Sequence, residues 1–177
     1  MKITKTKIPE NSLLYPDQNR YNYIDSYEGI IKDENNTICV VDVAKVFIKP
    51  GPKWIDYLLI LRNKLVSLFG LKNEIGDTKH LDSFKFEPGE QAGLFRVFTR
   101  TNNEIILGED DKHLNFRVSL YLEEPGNNKS NKIVTVSTIV IYNNWFGRLY
   151  YFLIKPFHKL IVTHMLKKNL QELELNF

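Results

Sequence analysis

The chain is poor in the residues that announce a chemistry. Of its 177 residues one is cysteine, Cys39, which excludes an internal disulfide and any metal site built on several thiolates. Cys39 sits in the apolar run Ile38–Val41 and reads as a buried structural thiol. Long apolar runs are missing too. Lys155, His158, Lys159 and His164 interrupt the richest stretch before it reaches the ~20 residues a membrane-spanning helix needs. Met1–Pro9 bears lysines and no apolar core, unlike a secretory leader, so the expected location is the cytoplasm.

Charge of one sign is scarce. The formal charge is +3, from 24 basic and 21 acidic residues, and the lysines form no local cluster, so nucleic acid is not an expected partner. Gly-x-Gly-x-x-Gly, the P-loop, the Gly-x-Ser-x-Gly elbow and His-Glu-x-x-His are all absent. Nucleotide, hydrolase and zinc-protease readings therefore lack support, and neither cofactor nor metal is expected. Nothing in the sequence names a reaction, which leans against an enzyme.

What is present is a globular composition, 43% hydrophobic and 25% charged, which argues against disorder. Aromatic residues are concentrated, with five between Trp145 and Phe152. Residues 1–20 hold Pro9, Pro16 and Asp17 and read as an extended lead-in to one domain over 21–177. Tyr21–Ile31 alternates as a first strand, with Tyr23, Asp25 and Tyr27 on one face. A turn at Asp33–Asn36 follows. Thr37 or Asp42 is placed to cap a short helix carrying Val40, Val43, Ala44 and Phe47, which Pro50-Gly51-Pro52 ends. Trp54, Leu58, Leu61, Leu65 and Leu68 then recur at helical spacing up to Gly70.

From Phe84 the period falls to two. Residues 84–90, Leu94–Thr101, Asn103–Glu109, Leu114–Glu123 and Lys132–Tyr142 read as strands. Asn144 can cap a long helix from Trp145 to about Leu173. Pro156 should bend it, with the aromatic half on the sheet and the lysine-rich half in solvent. Segregated strands and helices of this kind mean α+β.

Three segments carry a resemblance: VVDVAKVFIKPGPKWIDYLLILRNKLVSLFGLK, LGEDDKHLNFRVSL and NNWFGRLYYFLIKPFHKLIVTHML. Together they resemble an uncharacterised bacterial family, a domain of unknown function, near the START-like superfamily of lipid-transfer domains and polyketide cyclases. The resemblance implies a helix-grip (START-like) fold. Its curved antiparallel sheet, of about six or seven strands, wraps on the long C-terminal helix, with two short helices after the first strand. It also implies an apolar, lipid-like or aromatic ligand held between sheet and helix, an expectation resting on fold analogy.

Six residues are candidates for such a site: Trp54, His113, Arg117, Tyr142, Trp145 and Tyr150. His113 ends the polar word Glu109-Asp110-Asp111-Lys112-His113, whose carboxylates and imidazole suit acid/base work. Its plain reading is a turn, because neighbours in sequence point apart. If Leu114 and Phe116 face a cavity, Arg117 faces away. Tyr142, Trp145, Arg148 and Tyr150 flank the strand-to-helix junction and can form a cavity rim. In the plain reading Asn144 caps the helix and Trp145 enters the core. His158 and His164 are six apart, not the same-face spacing of a ligand pair. Three functions stay open. One is binding of a small apolar ligand. The second is weak contact with a membrane surface, or with a partner protein, through Trp145–Lys168. The third is a cyclase- or dehydratase-like enzyme using Asp25, His113, Arg117 or Tyr142. The oligomeric state is not readable.

Overall fold

The computed structural model describes residues 1–49, 84–93, 95–124, 126 and 130–176. The second expected helix, with Trp54, Tyr57 and Phe69, lies outside them. Among the described residues seven strands form one antiparallel sheet. They are β1 (Thr4–Thr6), β2 (Tyr23–Lys32), β3 (Gln91–Ala92), β4 (Phe95–Arg100), β5 (Glu104–Asp110), β6 (Leu114–Glu123) and β7 (Asn131–Tyr142). Their spatial order is β1-β2-β7-β6-β5-β4-β3. Helix α1 (Val40–Phe47) follows β2, and helix α2 (Trp145–Asn176) closes the chain. The fold is α+β.

Both faces of the sheet are covered, by different means. On the inner face Tyr27, Ile31, Val118, Leu120, Val134 and Val136 pack with Val40, Val43 and Ala44 of α1 and with Val162, Leu166, Leu170 and Leu173 of α2. At Gly29 a Cβ would collide with the Leu170 side chain, so the missing side chain sets how closely α2 approaches the sheet. The outer face is closed by the N-terminal segment. Ile8 and Leu14 join Ile106 and Ile139 in a second core, backed by Tyr15, Tyr21 and Phe98. Glu104, buried in β5, accepts hydrogen bonds from the Ser12 hydroxyl (2.6 Å), the Leu13 amide (2.8 Å) and the Ser119 hydroxyl (2.5 Å). What the sequence offers as an extended lead-in is therefore a strap over the sheet, and it also supplies β1.

Three local expectations change. Cys39, not Thr37 or Asp42, is the N-cap of α1. Asp42 accepts the Cys39 amide and thiol, each at 3.0 Å, and Cys39 is exposed rather than buried. Residues 84–90 form no strand. Gly89 and Glu90 instead exchange backbone hydrogen bonds with Val97 across a turn, and positive φ at Phe86 and Gly89 breaks the extended backbone. Finally, burial along α2 differs from expectation, although the aromatic half does meet the sheet through Tyr150 and Tyr151. The lysine-bearing C-terminal half is buried along Val162–Leu173, while the aromatic half exposes most of its apolar side chains. Hydrophobic spacing decides this: the 162, 166, 170, 173 series faces the sheet with its lysines outward. Pro156 leaves the helix continuous.

Candidate functional site

The N-terminal half of α2 lies over the end of the inner face where the strands carry polar and aromatic side chains. Asp25 of β2 points inward and is 4% exposed. Its Oδ2 accepts the Tyr23 hydroxyl at 2.8 Å, and its Oδ1 lies 3.5 Å from His158 Nε2 on α2. Thr138 is the cross-strand partner of Asp25 and therefore shares its face. Above them Tyr151, 6% exposed, packs its ring 4.8 Å from Tyr23 and 6.2 Å from His158. Lys155 holds its ammonium 5.2 Å over the Tyr23 ring.

The polar bookkeeping of this cluster is unusual. Asp25 Oδ1, Thr138 Oγ1, the Tyr151 hydroxyl and His158 Nε2 are buried and lack a well-formed hydrogen bond among the described residues, although Asp25 Oδ1 and His158 Nε2 face each other at 3.5 Å and the Tyr151 phenol interacts with that of Tyr23. Leaving such a group unpaired costs about 1–3 kcal/mol, and folded proteins rarely tolerate one. Here four share one place. Burial pushes the Tyr23 phenol far above its ordinary range, and the hydrogen bond to Asp25 adds to this. Burial does the same to Tyr151, helped by the adjoining Tyr23 phenol and the Asp25 carboxylate. Both phenols thus stay protonated at neutral pH as donors. The cluster presents a carboxylate oxygen, an imidazole nitrogen and two hydroxyls, ringed by Tyr142 and Tyr150, which pack with Tyr151 and Val140.

The six residues read from sequence distribute unevenly around this cluster. Tyr142 stacks 5.9 Å from Tyr151, and Tyr150 belongs to the same group. His113 and Trp145 meet at the tip of α2 instead, where they line an open cleft of about 370 Å³ with Asn144 and Phe146. His113 Nδ1 and the Asn144 amide nitrogen are 2.9 Å apart, and Asn144 Oδ1 caps α2 through the Gly147 amide at 3.0 Å. Trp145 does not enter the core; it is 75% exposed. Arg117 points to the outer face, its guanidinium 3.5 Å over the Phe98 ring and 2.8 Å from Asp110. Trp54 is outside the described residues.

The sequence offers Asp25 and Tyr142 as candidate groups, whereas His158 reads only as a surface or satisfied histidine outside any ligand pair. It does not single out Thr138 or Tyr151. The signal that unites them is the register of β2 on β7, which no local pattern reveals. Among the described residues no three His, Cys, Asp or Glu side chains gather as a metal site.

A match to the family described as "Protein of unknown function (DUF2867)" covers residues 18–165. The chain belongs to the DUF2867 family. No curated protein and no solved structure matches it. The family match takes in the whole Asp25–His158 cluster and the exposed half of α2, and it stops before Leu166, Leu170 and Leu173.

Proposed function

We propose that this DUF2867 domain binds a small, largely apolar molecule between the sheet and the N-terminal half of α2. The ligand's polar end sits among Asp25, Thr138, Tyr151 and His158, and its body lies against Tyr23, Tyr142 and Tyr150. One observation carries the reading: among the described residues, four buried polar atoms with incomplete hydrogen bonding gather where α2 leaves the main core. A group that both donates and accepts, such as an alcohol or an amide, satisfies a carboxylate and two hydroxyls together. Tyrosine rings beside it suit an apolar or aromatic body. The helix-grip reading fits this placement, since in that arrangement the ligand space lies between sheet and final helix.

The test is a thermal-shift screen of the whole chain against aliphatic alcohols, phenols and fatty amides, with hits confirmed by calorimetry. A hit should raise the melting temperature of the wild type and lose most of its effect in Thr138→Val and Asp25→Asn. A crystal structure showing the four atoms bridged only by ordered water, with no hit in the screen, would refute the proposal.

A further inference from the structure

The outer side of the same helix half poses a separate question. Trp145, Leu149, Phe152, Leu153, Phe157 and Leu160 are all exposed, Trp145 by 75% and Phe152 by 71%. Their spacing places them on one side of α2, opposite Tyr151 and Val162. They make a stripe of about 23 Å at 1.5 Å rise per residue. Large apolar side chains scattered singly need no explanation, but a contiguous band of this length does.

The charges around the band identify its occupant. Arg148, Lys155 and Lys159 are exposed along one flank, Lys167 and Lys168 continue beyond it, and no Asp or Glu occurs from Trp145 to Gln171. The nearest carboxylate on the helix itself is Glu172, which pairs with Lys49 at 2.5 Å. A convex helical ridge with a Trp–Phe–Leu crest and cationic shoulders matches the polar–apolar boundary of an anionic bilayer. No helix among the described residues is long and apolar enough to cross a membrane, so the geometry is that of lying on the surface. The inner side of the helix is already fixed to the sheet through Tyr151, Val162 and Leu166. Docking therefore requires no folding of the helix, which spares the ordering cost that free amphipathic peptides bear.

We propose that the exposed stripe Trp145–Leu160 is a docking surface for anionic lipid bilayers, with Trp145, Phe152 and Phe157 entering the headgroup boundary and Arg148 and Lys159 facing lipid phosphates and carboxylates. This inference is independent of the small-molecule site on the opposite side of the helix.

The test is co-sedimentation of the full chain with phosphatidylcholine vesicles, with and without phosphatidylserine, at low and high salt. Binding should require phosphatidylserine and weaken as salt rises. Phe152→Glu should reduce partitioning by more than about tenfold. Arg148→Ala and Lys159→Ala should each reduce it by about fivefold. Leu160→Glu, at the far end of the stripe, gives an independent readout. The proposal is overturned if the wild type does not bind anionic vesicles at low salt, or if both glutamate variants bind unchanged. A dimer in solution that Phe152→Glu dissolves, without vesicle binding, also overturns it and assigns the stripe to a second copy of the chain.

Discussion

Replacing Asp33 by asparagine tests how the loop between β2 and α1 is held to the sheet. Asp33 and Lys132 face each other at 2.9 Å with side chains 1% and 3% exposed. The Asp33 carboxylate also accepts the Thr37 and Ile38 amides, each at 2.9 Å. Lys132 in turn donates to the Ile38 carbonyl at 2.6 Å, and Glu124 stands further off at 3.7 Å. Two charges this deep lose their hydration and recover it mainly through each other. The intact pair is thus worth little against a well-packed apolar pair, while removing one partner strands the other at a cost of about 3–5 kcal/mol.

Asparagine keeps the shape and one acceptor oxygen, so Asp33→Asn should sit at the low end, about 3 kcal/mol. For a chain of this length that corresponds to a fall of about 6–12 °C in Tm. Lys132→Met should cost a similar amount, and the double variant should cost less than the sum of the two by about 1–3 kcal/mol. The pH dependence has a definite sign. Burial pushes the Asp33 carboxyl up, but hydrogen bonds from Lys132, Thr37 and Ile38 outweigh it and hold the group below its ordinary value of 3.8. A depressed carboxyl stabilises the fold fully above its unfolded pKa, and that share is lost as pH falls toward the folded value. In urea unfolding followed by circular dichroism, the wild type should therefore lose more stability below about pH 4 than Asp33→Asn does. Single variants that add without coupling, or an Asp33→Asn cost under about 1 kcal/mol, would refute the reasoning.

Two further predictions concern the region near the site. Tyr151→Phe removes a buried hydroxyl that lacks a well-formed hydrogen bond among the described residues, so stability in urea should hold or rise by up to about 1 kcal/mol while ligand response falls; a clear loss of stability would show that the hydroxyl is already satisfied. Gly147→Ala places a Cβ against the His113 backbone carbonyl, so the start of α2 must shift. The expected cost is about 1–3 kcal/mol by urea unfolding, and a stability equal to wild type would show that the junction yields freely.

Much of the frame was legible from period and punctuation. The alternation of Leu114–Glu123 gives β6 to the residue, and β5, β7 and the start of α2 fall within one residue of their expected ends. Local chemistry was enough there, since each element buries one face. The misreadings have physical causes. Residues 1–20 read only as an extended lead-in because proline and polar residues suppress periodicity. Their few apolar side chains, Ile8 and Leu14, gain their place only from strands read later. In α2 the aromatic density at 145–152 suggests the main buried half, whereas the regular 162–173 spacing marks the core face. The Asp25–His158 cluster unites positions on β2, β7 and α2, so only the register of a folded sheet could disclose it.

The strand order also sets a timetable. Strands β4 to β7 form a meander of neighbours close together in sequence, and such local pairings close quickly. Strand β2 pairs along its whole length with β7, joining Lys32 to Asn131. Closing a loop of about 100 residues costs about 4 kcal/mol of chain entropy before any contact repays it. Strand β2, made well before its partner β7, is thus among the last to find its place. Asp25, Thr138 and His158 come together only when that late seam zips shut, so the polar cluster is assembled in the closing step of folding.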